Sequence, residues 1–370
     1  MRKLLPTLLP IALPLLASAA VAQDVLYYKF DETAGNRVVN YASRSGLAPH
    51  EGVITSTDTS AFAPGILGAS ALRGSATGGT AFHSFVDTGW NGSFSGSFSL
   101  AFFLKARNNP TSANYLCGNT QSGSFRCFTG GAVPNNIRVT SAGTTPLNLD
   151  MNADIRTPAA TRWVHVALVV DSSTMTAIWY LDGLPQTTIP ISVAPNVTTT
   201  TNFRVGAQNS TTTASQFDLD EFRFQLAAAS PGEVLAWSRT TSARAARYGA
   251  GCGATLDSAG GEPTFGNNAF ALTLQGAPAS PFAVSLGTSR VQWNATPLPL
   301  DLGLLFPTLT GCRLESNLTI ALSAATSGAG AGSIPLPIPN DPSMSGFTLW
   351  CQAFGFGPTL QTTNGLAVGL

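Results

Sequence analysis

The chain has 370 residues, no net charge at pH 7, and only 10% charged residues, far below the ~25% of an average globular protein. Because the net charge is zero and no basic cluster occurs, this composition argues against nucleic acid and anionic membrane as partners. Hydrophobic residues make up 44% of the chain, which excludes a largely disordered protein and suffices for two domains with separate cores.

The first 22 residues have the layout of a secretory signal. An Arg-Lys pair at residues 2–3 precedes an apolar stretch at residues 4–16, and Ala-Val-Ala at residues 20–22 supplies the small side chains that a signal peptidase needs. Prolines interrupt the stretch, which is too short for a membrane anchor. We therefore predict an exported protein that is cleaved after Ala22, with no transmembrane segment in the remainder.

Residues 24 to about 225 are typical of short strands separated by turns. Apolar residues alternate between Gly96 and Lys105, which indicates a strand with one buried face. The run from Trp163 to Val170 is apolar on both faces, as expected of a central strand in a two-layer sandwich. Asp182-Gly183 is the dipeptide favoured in a tight hairpin. The pattern predicts an all-β sandwich or jelly roll.

One segment has the signals of a helix. Ser230 is a suitable N-cap, a proline occupies the first turn, and Glu233 stands at the third helical position. We predict a helix over Pro231–Arg247 that ends near Gly249. The glycine-rich stretch there marks a boundary, and the short apolar runs and proline-rich pieces of residues 249–370 predict a second, smaller β-sandwich.

The chain has five cysteines, and in an exported protein pairs of them are expected to oxidise. Cys117 and Cys127 flank an apparent hairpin tip, so their closeness in sequence favours a disulfide between them. The cysteine spacing fits no zinc pattern, and only three histidines are available to help.

Several motifs occur in one order over residues 24–237, and together they resemble the laminin-G-like, concanavalin A-like jelly roll. They are the segments Leu26–Gly35, Phe94–Lys105, Arg162–Asp171, Ile178–Gly183, Phe203–Gly206, Leu219–Phe224 and Ser230–Glu233. The resemblance implies a jelly-roll domain over residues 23–248. It carries no specific activity, because this fold hosts lectins, adhesion modules and glycan hydrolases alike.

The C-terminal part resembles a module at the ends of large exported bacterial proteins. The likeness rests on Gly251-Cys252, Gly311-Cys312, a Leu-Pro-Leu run and the ending Thr363–Val368. It implies a β-sandwich module over residues 249–370 and a disulfide between Cys252 and Cys312, which leaves Cys351 free and buried.

The segment that ends at Glu221 has a carboxylate spacing close to that of a glycan hydrolase. Laminarinase-type glucanases carry Glu-x-Asp-x-(x)-Glu on one strand, where the outer glutamates act as nucleophile and general acid. Here Gln216 stands in the nucleophile position of the segment that ends at Glu221, and a glutamine cannot form the glycosyl ester. No serine-nucleophile elbow or zinc-binding helix motif occurs, and His165 alternates with apolar residues on one strand. We therefore predict that the protein is not an enzyme.

Asp220 is the carboxylate with the least obvious role. In a regular strand it shares a face with Phe222 and Phe224, which are expected to point inward, so its side chain needs a partner. It either accepts backbone N–H groups, pairs with His165 or an arginine, or binds a structural calcium ion together with Asp31. The sequence contains no contiguous calcium-binding loop.

For ligand binding, Trp90 with Asn91 beside it and Tyr115 are the aromatic and amide side chains that could meet a sugar. The alternative for Trp90 is packing at a strand end. We predict a secreted, non-catalytic binding or adhesion protein for an extracellular glycan or surface protein. A structural or sorting component of the cell envelope is the alternative, and a divergent glycan hydrolase comes third.

Overall fold

A computed structural model describes residues 24–370 except 43–44, 59, 77–83, 108–113, 120–123, 131–134 and 209–214. The predicted signal segment at residues 1–22 lies outside the described residues. The strands of the N-terminal part are β1 (Asp24–Tyr28), β2 (Arg37–Val39), β3 (Glu51–Ser56), β4 (Phe62–Ala63), β5 (Ala71–Leu72), β6 (Ser84–Asp87), β7 (Phe94–Ser95), β8 (Phe98–Ala106), β9 (Asn114–Gly118), β10 (Phe125–Thr129), β11 (Ile137–Ser141), β12 (Asn148–Asp150), β13 (Val164–Asp171), β14 (Thr176–Leu181), β15 (Leu184–Pro190), β16 (Asn196–Val197), β17 (Arg204–Val205) and β18 (Phe217–Gln225).

Two short α-helices occur in the described residues, α1 (Arg156–Ala159) and α2 (Pro231–Trp237). The strands that follow them are β19 (Arg244–Tyr248), β20 (Thr255–Ala259), β21 (Ala271–Gln275), β22 (Pro281–Gly287), β23 (Gln292–Trp293), β24 (Thr296–Pro297), β25 (Leu300–Asp301), β26 (Arg313–Leu314), β27 (Ile320–Ala325), β28 (Ala331–Pro335), β29 (Thr348–Phe356) and β30 (Leu360–Gly369). In the C-terminal part, 3₁₀ turns lie at Leu302–Leu304, Pro307–Leu309 and Pro342–Met344.

Residues 24–240 form the jelly-roll unit, which consists of two large antiparallel sheets packed face to face. The first sheet has the order β15-β14-β13-β8-β18-β5-β4, with β1 paired to β18, and the second has the order β12-β11-β10-β9-β17-β6-β3-β2. The alternation predicted for β8 places its apolar side chains in the core between the sheets. The protein is mostly β, as the sequence predicted.

The core of the jelly-roll unit is filled by aromatic rings. Phe224 is the centre of this cluster, because its ring lies 5.2–5.6 Å from five neighbours. Those neighbours are Trp90, Phe94, Phe98, Phe125 and Phe203. Edge-to-face and offset ring pairs of this kind add to the stabilisation from burial alone.

Helix α2 begins as predicted but is much shorter than predicted. Ser230 and Glu233 form a complete capping box, and the helix ends at Trp237. The prediction of a helix as far as Arg247 is wrong, because Arg244–Tyr248 is strand β19 and pairs with β30. The local Arg-Ala-Ala-Arg sequence is compatible with a helix, and a partner strand more than a hundred residues away overrides that preference.

Residues 244–370 form the C-terminal unit. Its five-stranded sheet has the order β19-β30-β29-β22-β27 and packs on a three-stranded sheet, β20-β21-β28. Strand β19 precedes the boundary expected at residues 248–249, yet it belongs to this second sheet system. The separation into two independently folded domains stays a prediction.

The cysteines behave differently in the two units. The disulfide Cys252–Cys312 is present in the C-terminal unit, and Cys351 is a free, buried thiol. The expected Cys117–Cys127 bridge is not formed: Cys117 on β9 and Cys127 on β10 are register partners, but both are free, buried thiols. A disulfide needs a particular separation and direction of the two Cβ atoms, and facing positions on neighbouring strands do not by themselves supply it.

Candidate functional site

Trp90 and Asn91 do not form an exposed sugar platform. The Trp90 side chain is 6% exposed and packs between the rings of Phe203 and Phe224 at 5.4 and 5.3 Å. Asn91 is exposed, but its side-chain oxygen accepts a hydrogen bond from the backbone N–H of Ser93. The structure therefore corrects the binding assignment for Trp90 and supports the alternative, in which this ring completes the core.

Asp220 lies on the opposite side of its strand from the position expected for a regular strand. A β-bulge interrupts β18 between Asp220 and Arg223, and Glu221 has a positive φ of 50°. The bulge reverses the alternation, so that Leu219 and Phe222 both face the core while Asp220 faces away from it. The expectation that Asp220 shares a face with Phe222 is therefore wrong.

Asp220 and Asp31 hold one loop, residues 65–69, by its backbone. Asp220 Oδ2 accepts hydrogen bonds from the N–H groups of Ile66 and Leu67 at 2.9 and 3.3 Å, and Asp31 Oδ1 accepts one from Ala69 at 3.0 Å. The other Asp220 oxygen accepts the N–H of the next residue along the strand. Of the alternatives for Asp220, the structure shows the one with backbone N–H groups.

These carboxylates do not fit a calcium site. Calcium takes six to eight oxygen ligands, whereas Asp31 and Asp220 direct their oxygens at amide N–H groups of the loop. Among the residues that the structure describes, no group of three or more His, Cys, Asp or Glu side chains could hold a metal ion. The expected calcium ligands thus serve as loop anchors.

The same region contains buried ionisable side chains whose pKa values are shifted by burial. Burial raises the pKa of Asp31 to about 7, and the nearby Lys29 cation opposes that shift. Burial also raises the pKa of Asp220 well above its ordinary value, and the neighbouring Glu221 adds to the effect. Lys29 is fully buried, its pKa is lowered by burial, and its ammonium lies 5.0 Å from the centre of the Tyr41 ring.

The other side chains that were considered for catalysis are also buried or hydrogen-bonded within the fold. Asp218 Oδ1 accepts a hydrogen bond from the N–H of Gly74 at 2.8 Å, and the Tyr27 hydroxyl donates to Glu221 Oε2 at 2.5 Å. His165 is 2% exposed, and burial lowers its pKa to about 4, so it is neutral at physiological pH. Phe103 stands between His165 and Asp220 in the sheet register, which keeps the two apart.

Tyr115 lies on strand β9 of the second sheet. It is partly exposed, and its ring lies 5.5 Å from that of Phe128 on the neighbouring strand. The register continues from Phe128 to Arg138 and then to Asp150. Arg138 donates two hydrogen bonds to Asp150, at 2.9 and 2.7 Å, which fixes both side chains beside the aromatic pair.

A second register row crosses the same face and carries two more arginines. Arg126 and Arg204 both pair with Gly118, so a residue without a side chain separates them. The Arg126 guanidinium lies 5.1 Å from the centre of the Phe128 ring, and that of Arg204 lies 4.7 Å from the Phe85 ring. We call this set, Phe85, Tyr115, Arg126, Phe128 and Arg204, the aromatic–arginine face.

Only Tyr115 of this face was predicted from the sequence. Arg126 and Phe128 occupy alternate positions of a short strand whose intervening residues, Phe125 and Cys127, belong to the core, a pattern that places both on the outer side. The pairing of Tyr115 with Phe128 depends on a register shift between Cys127 and Phe128. No local pattern in the sequence encodes such a shift.

No helix among the described residues is long and apolar enough to cross a membrane.

Comparisons with known proteins identify the fold of the N-terminal part. The family described as the concanavalin A-like lectin/glucanases superfamily matches residues 77–235. These residues are therefore a concanavalin A-like/laminin G domain, and additional β-sheets follow it in the C-terminal unit. No curated protein sequence matches the chain.

Solved structures with a similar fold share little sequence with this chain. Domain 4 of AbnA, a GH43 extracellular arabinanase from Geobacillus stearothermophilus solved with arabinotriose, has a TM-score of 0.43 and 18% identity and covers 59% of this chain and 99% of its own. The botulinum neurotoxin serotype D binding domain has a TM-score of 0.41 and 9% identity, covering 94% and 93%. The CBM40 of the Ruminococcus gnavus IT-sialidase, bound to alpha2,3 sialyllactose, has a TM-score of 0.30 and 19% identity, covering 40% and 83%.

Proposed function

We propose, taking residues 77–235 as a concanavalin A-like lectin/glucanase domain, that the protein is a non-catalytic glycan-binding protein whose ligand lies on the aromatic–arginine face. The observation that carries this proposal is the partly exposed Tyr115 ring, which packs on the buried Phe128 ring and lies on the same sheet surface as Arg126 and Arg204. An accessible aromatic ring packs against the apolar face of a sugar, and a guanidinium supplies planar hydrogen-bond donors.

The arginines also favour one class of glycan. Arg126 and Arg204 flank Gly118, and each guanidinium is held over a phenylalanine ring, which limits its rotation. Arginine recognises carboxylate and sulfate groups through paired hydrogen bonds. We therefore propose a glycan with acidic sugar units as the preferred ligand.

The carboxylates of this face support binding rather than hydrolysis. Asp150 and Asp87 lie on β12 and β6, which are five strand spacings apart in the sheet, or about 24 Å. Paired glycosidase carboxylates stand about 5–10 Å apart. Glu51, further along the same sheet, is salt-bridged to Arg290 at 2.5 Å. Glu51 lies two residues along β3 from the register partner of Asp87, but its ion pair with Arg290 engages it in structure, which favours binding over hydrolysis.

Binding to an array of neutral and acidic glycans, followed by calorimetry on the best ligand, tests the proposal. We expect Tyr115→Ala and Arg126→Ala each to weaken binding about tenfold or more, equivalent to about 1.4 kcal/mol. Phe356→Ala is the matched control, because this ring is 52% exposed but belongs to the C-terminal unit. Unchanged affinity in both folded variants would exclude the face as the binding site.

The alternative function, a structural or sorting component of the cell envelope, gives a different result in the same experiment. Attachment to cell-envelope material that survives Tyr115→Ala and Arg126→Ala would favour that alternative. Export is part of the main proposal and has support from the Cys252–Cys312 disulfide, since such bonds persist in oxidising compartments. N-terminal sequencing of the secreted protein should begin at Gln23.

A further inference from the structure

The five-stranded sheet of the C-terminal unit ends in an exposed strand with a free edge. Strand β27 pairs with β22 on one side, and no strand of the described residues pairs with its other side. Ile320, at the start of this strand, is 56% exposed, and the preceding Leu318 is 42% exposed. A free edge of this kind offers a row of unpaired backbone N–H and C=O groups to another strand.

The edge of β27 lacks the features that protect the other sheet edges. Proteins usually block strand pairing with proline, charged side chains or very short strands. Strand β15 contains Pro185 and Pro190, β20 contains Asp257, and β2 has three residues including Arg37. Strand β27 has six residues with neither proline nor charge, and the sequence from residue 316 to residue 340 contains no charged residue.

The side chains of β27 fit a second copy of the same strand. Antiparallel pairing about a two-fold axis brings residues from opposite ends of the strand together. Because directly opposite residues share one face of the sheet, we take the register centred on Ser323: the two copies of Ser323 lie opposite each other, Leu322 lies opposite Ala324 of the second copy, and Ala321 lies opposite Ala325 of the second copy. The large side chain of Leu322 thus faces a small one, and no like charges meet across the pair.

We propose that the protein forms a two-fold dimer through antiparallel pairing of β27 with β27 of a second copy, which joins two five-stranded sheets into one sheet of ten strands. Because β27 carries no charge, it offers no electrostatic attraction to a charged strand of another protein. We therefore favour pairing with a second copy of β27, which is uncharged as well. The interface does not involve the aromatic–arginine face, so the dimer stands or falls independently of glycan binding.

Sedimentation analysis of the full mature chain across micromolar concentrations tests the dimer. We expect a species of twice the chain mass, and slower amide exchange in residues 320–325 as the concentration rises. Ser323→Lys should convert this species to monomer, because Ser323 is exposed and an edge lysine blocks strand pairing. The matched control is Gln186→Lys, which places the same charge on the exposed edge strand β15 and should leave the dimer intact.

Thermal melting of both variants shows whether they are folded, so that loss of the dimer cannot be attributed to unfolding. A wild-type protein that is monomeric throughout this concentration range would overturn the proposal, even if its β27 edge captures a strand of another protein. A folded Ser323→Lys variant that remains dimeric would overturn it as well.

Discussion

The interior of the jelly-roll unit is filled by stacked and edge-on aromatic rings, whereas the C-terminal unit has a mainly aliphatic core and a disulfide. Phe224 of β18 contacts rings from both sheets, Phe98 of the first and Phe125 of the second. The stability of the jelly-roll unit therefore depends on side-chain packing. The disulfide Cys252–Cys312 links residues 60 apart in sequence, so the C-terminal unit depends in part on a covalent constraint.

The two units also treat their surfaces differently. The edge strands of the jelly-roll unit contain prolines or charged residues or are short. The aromatic–arginine face lies on the outer side of its second sheet. The C-terminal unit leaves the uncharged β27 edge exposed. The proposed ligand site and the proposed dimer edge therefore lie in different units, so that mutations can test them one at a time.

The largest effect is expected from the aromatic core. Phe224→Ala removes a ring that contacts five others, and loss of a buried phenylalanine costs about 3–5 kcal/mol of unfolding free energy. Urea titration followed by aromatic fluorescence and circular dichroism measures this cost. A loss no greater than that of the exposed-ring control Phe356→Ala would show that packing is not what stabilises this unit.

Reduction of the disulfide should have the next largest effect, and it should be confined to the other unit. Replacing Cys252 and Cys312 by alanine is expected to cost about 2–4 kcal/mol, since it restores freedom to a long loop of the unfolded chain. Hydrogen exchange with mass spectrometry should show reduced protection in residues 252–370. Equal loss of protection in the jelly-roll strands would mean that the units unfold as one.

A smaller and pH-dependent effect is expected from Asp31. Its raised pKa means that the folded protein binds the proton more tightly than the unfolded chain, so this contribution is complete below about pH 4 and is lost as the pH rises to about 7. Asp31→Asn should make the decline in stability over this range shallower, because the asparagine cannot take up the proton that the buried Asp31 carboxyl binds in the folded state.

Thermal melts between pH 4 and pH 8 measure that slope. The control is Asp171→Asn, because Asp171 lies in an exposed turn and its pKa is lowered by hydrogen bonds from Ser173. An Asp31→Asn profile parallel to that of the wild type would contradict the assignment.

The sequence predicted the sandwich because strand periodicity and collinear turn motifs are local signals. The alternation in β8 and the capping box of α2 appear where they were expected. The bulge at Glu221 was not predictable, because positive φ at a glutamate depends on the loop and strands around it. Arg244–Tyr248 was misassigned for the same kind of reason, since its state is decided by β30.

The candidate site was predicted only in part. Tyr115 was found as an aromatic residue in a hairpin, but its partner Phe128 depends on a register shift and Arg204 comes from a distant strand. Trp90 was a candidate for sugar contact, with packing at a strand end as the alternative, and the rings of Phe94, Phe203 and Phe224 bury it. A site whose residues come from four strands cannot be recognised from the sequence of any single strand.

The position of β30 inside its sheet fixes an order of events during synthesis. Strand β30 lies between β19 and β29, so β19 has no hydrogen-bonding partner until residues 365–369 have left the ribosome and any export channel. The last strand that the jelly-roll unit requires, β18, is complete at residue 225. We therefore expect the strands of the jelly-roll unit to pair while the chain is still emerging, whereas the C-terminal sheet closes only after residues 365–369 have been synthesised.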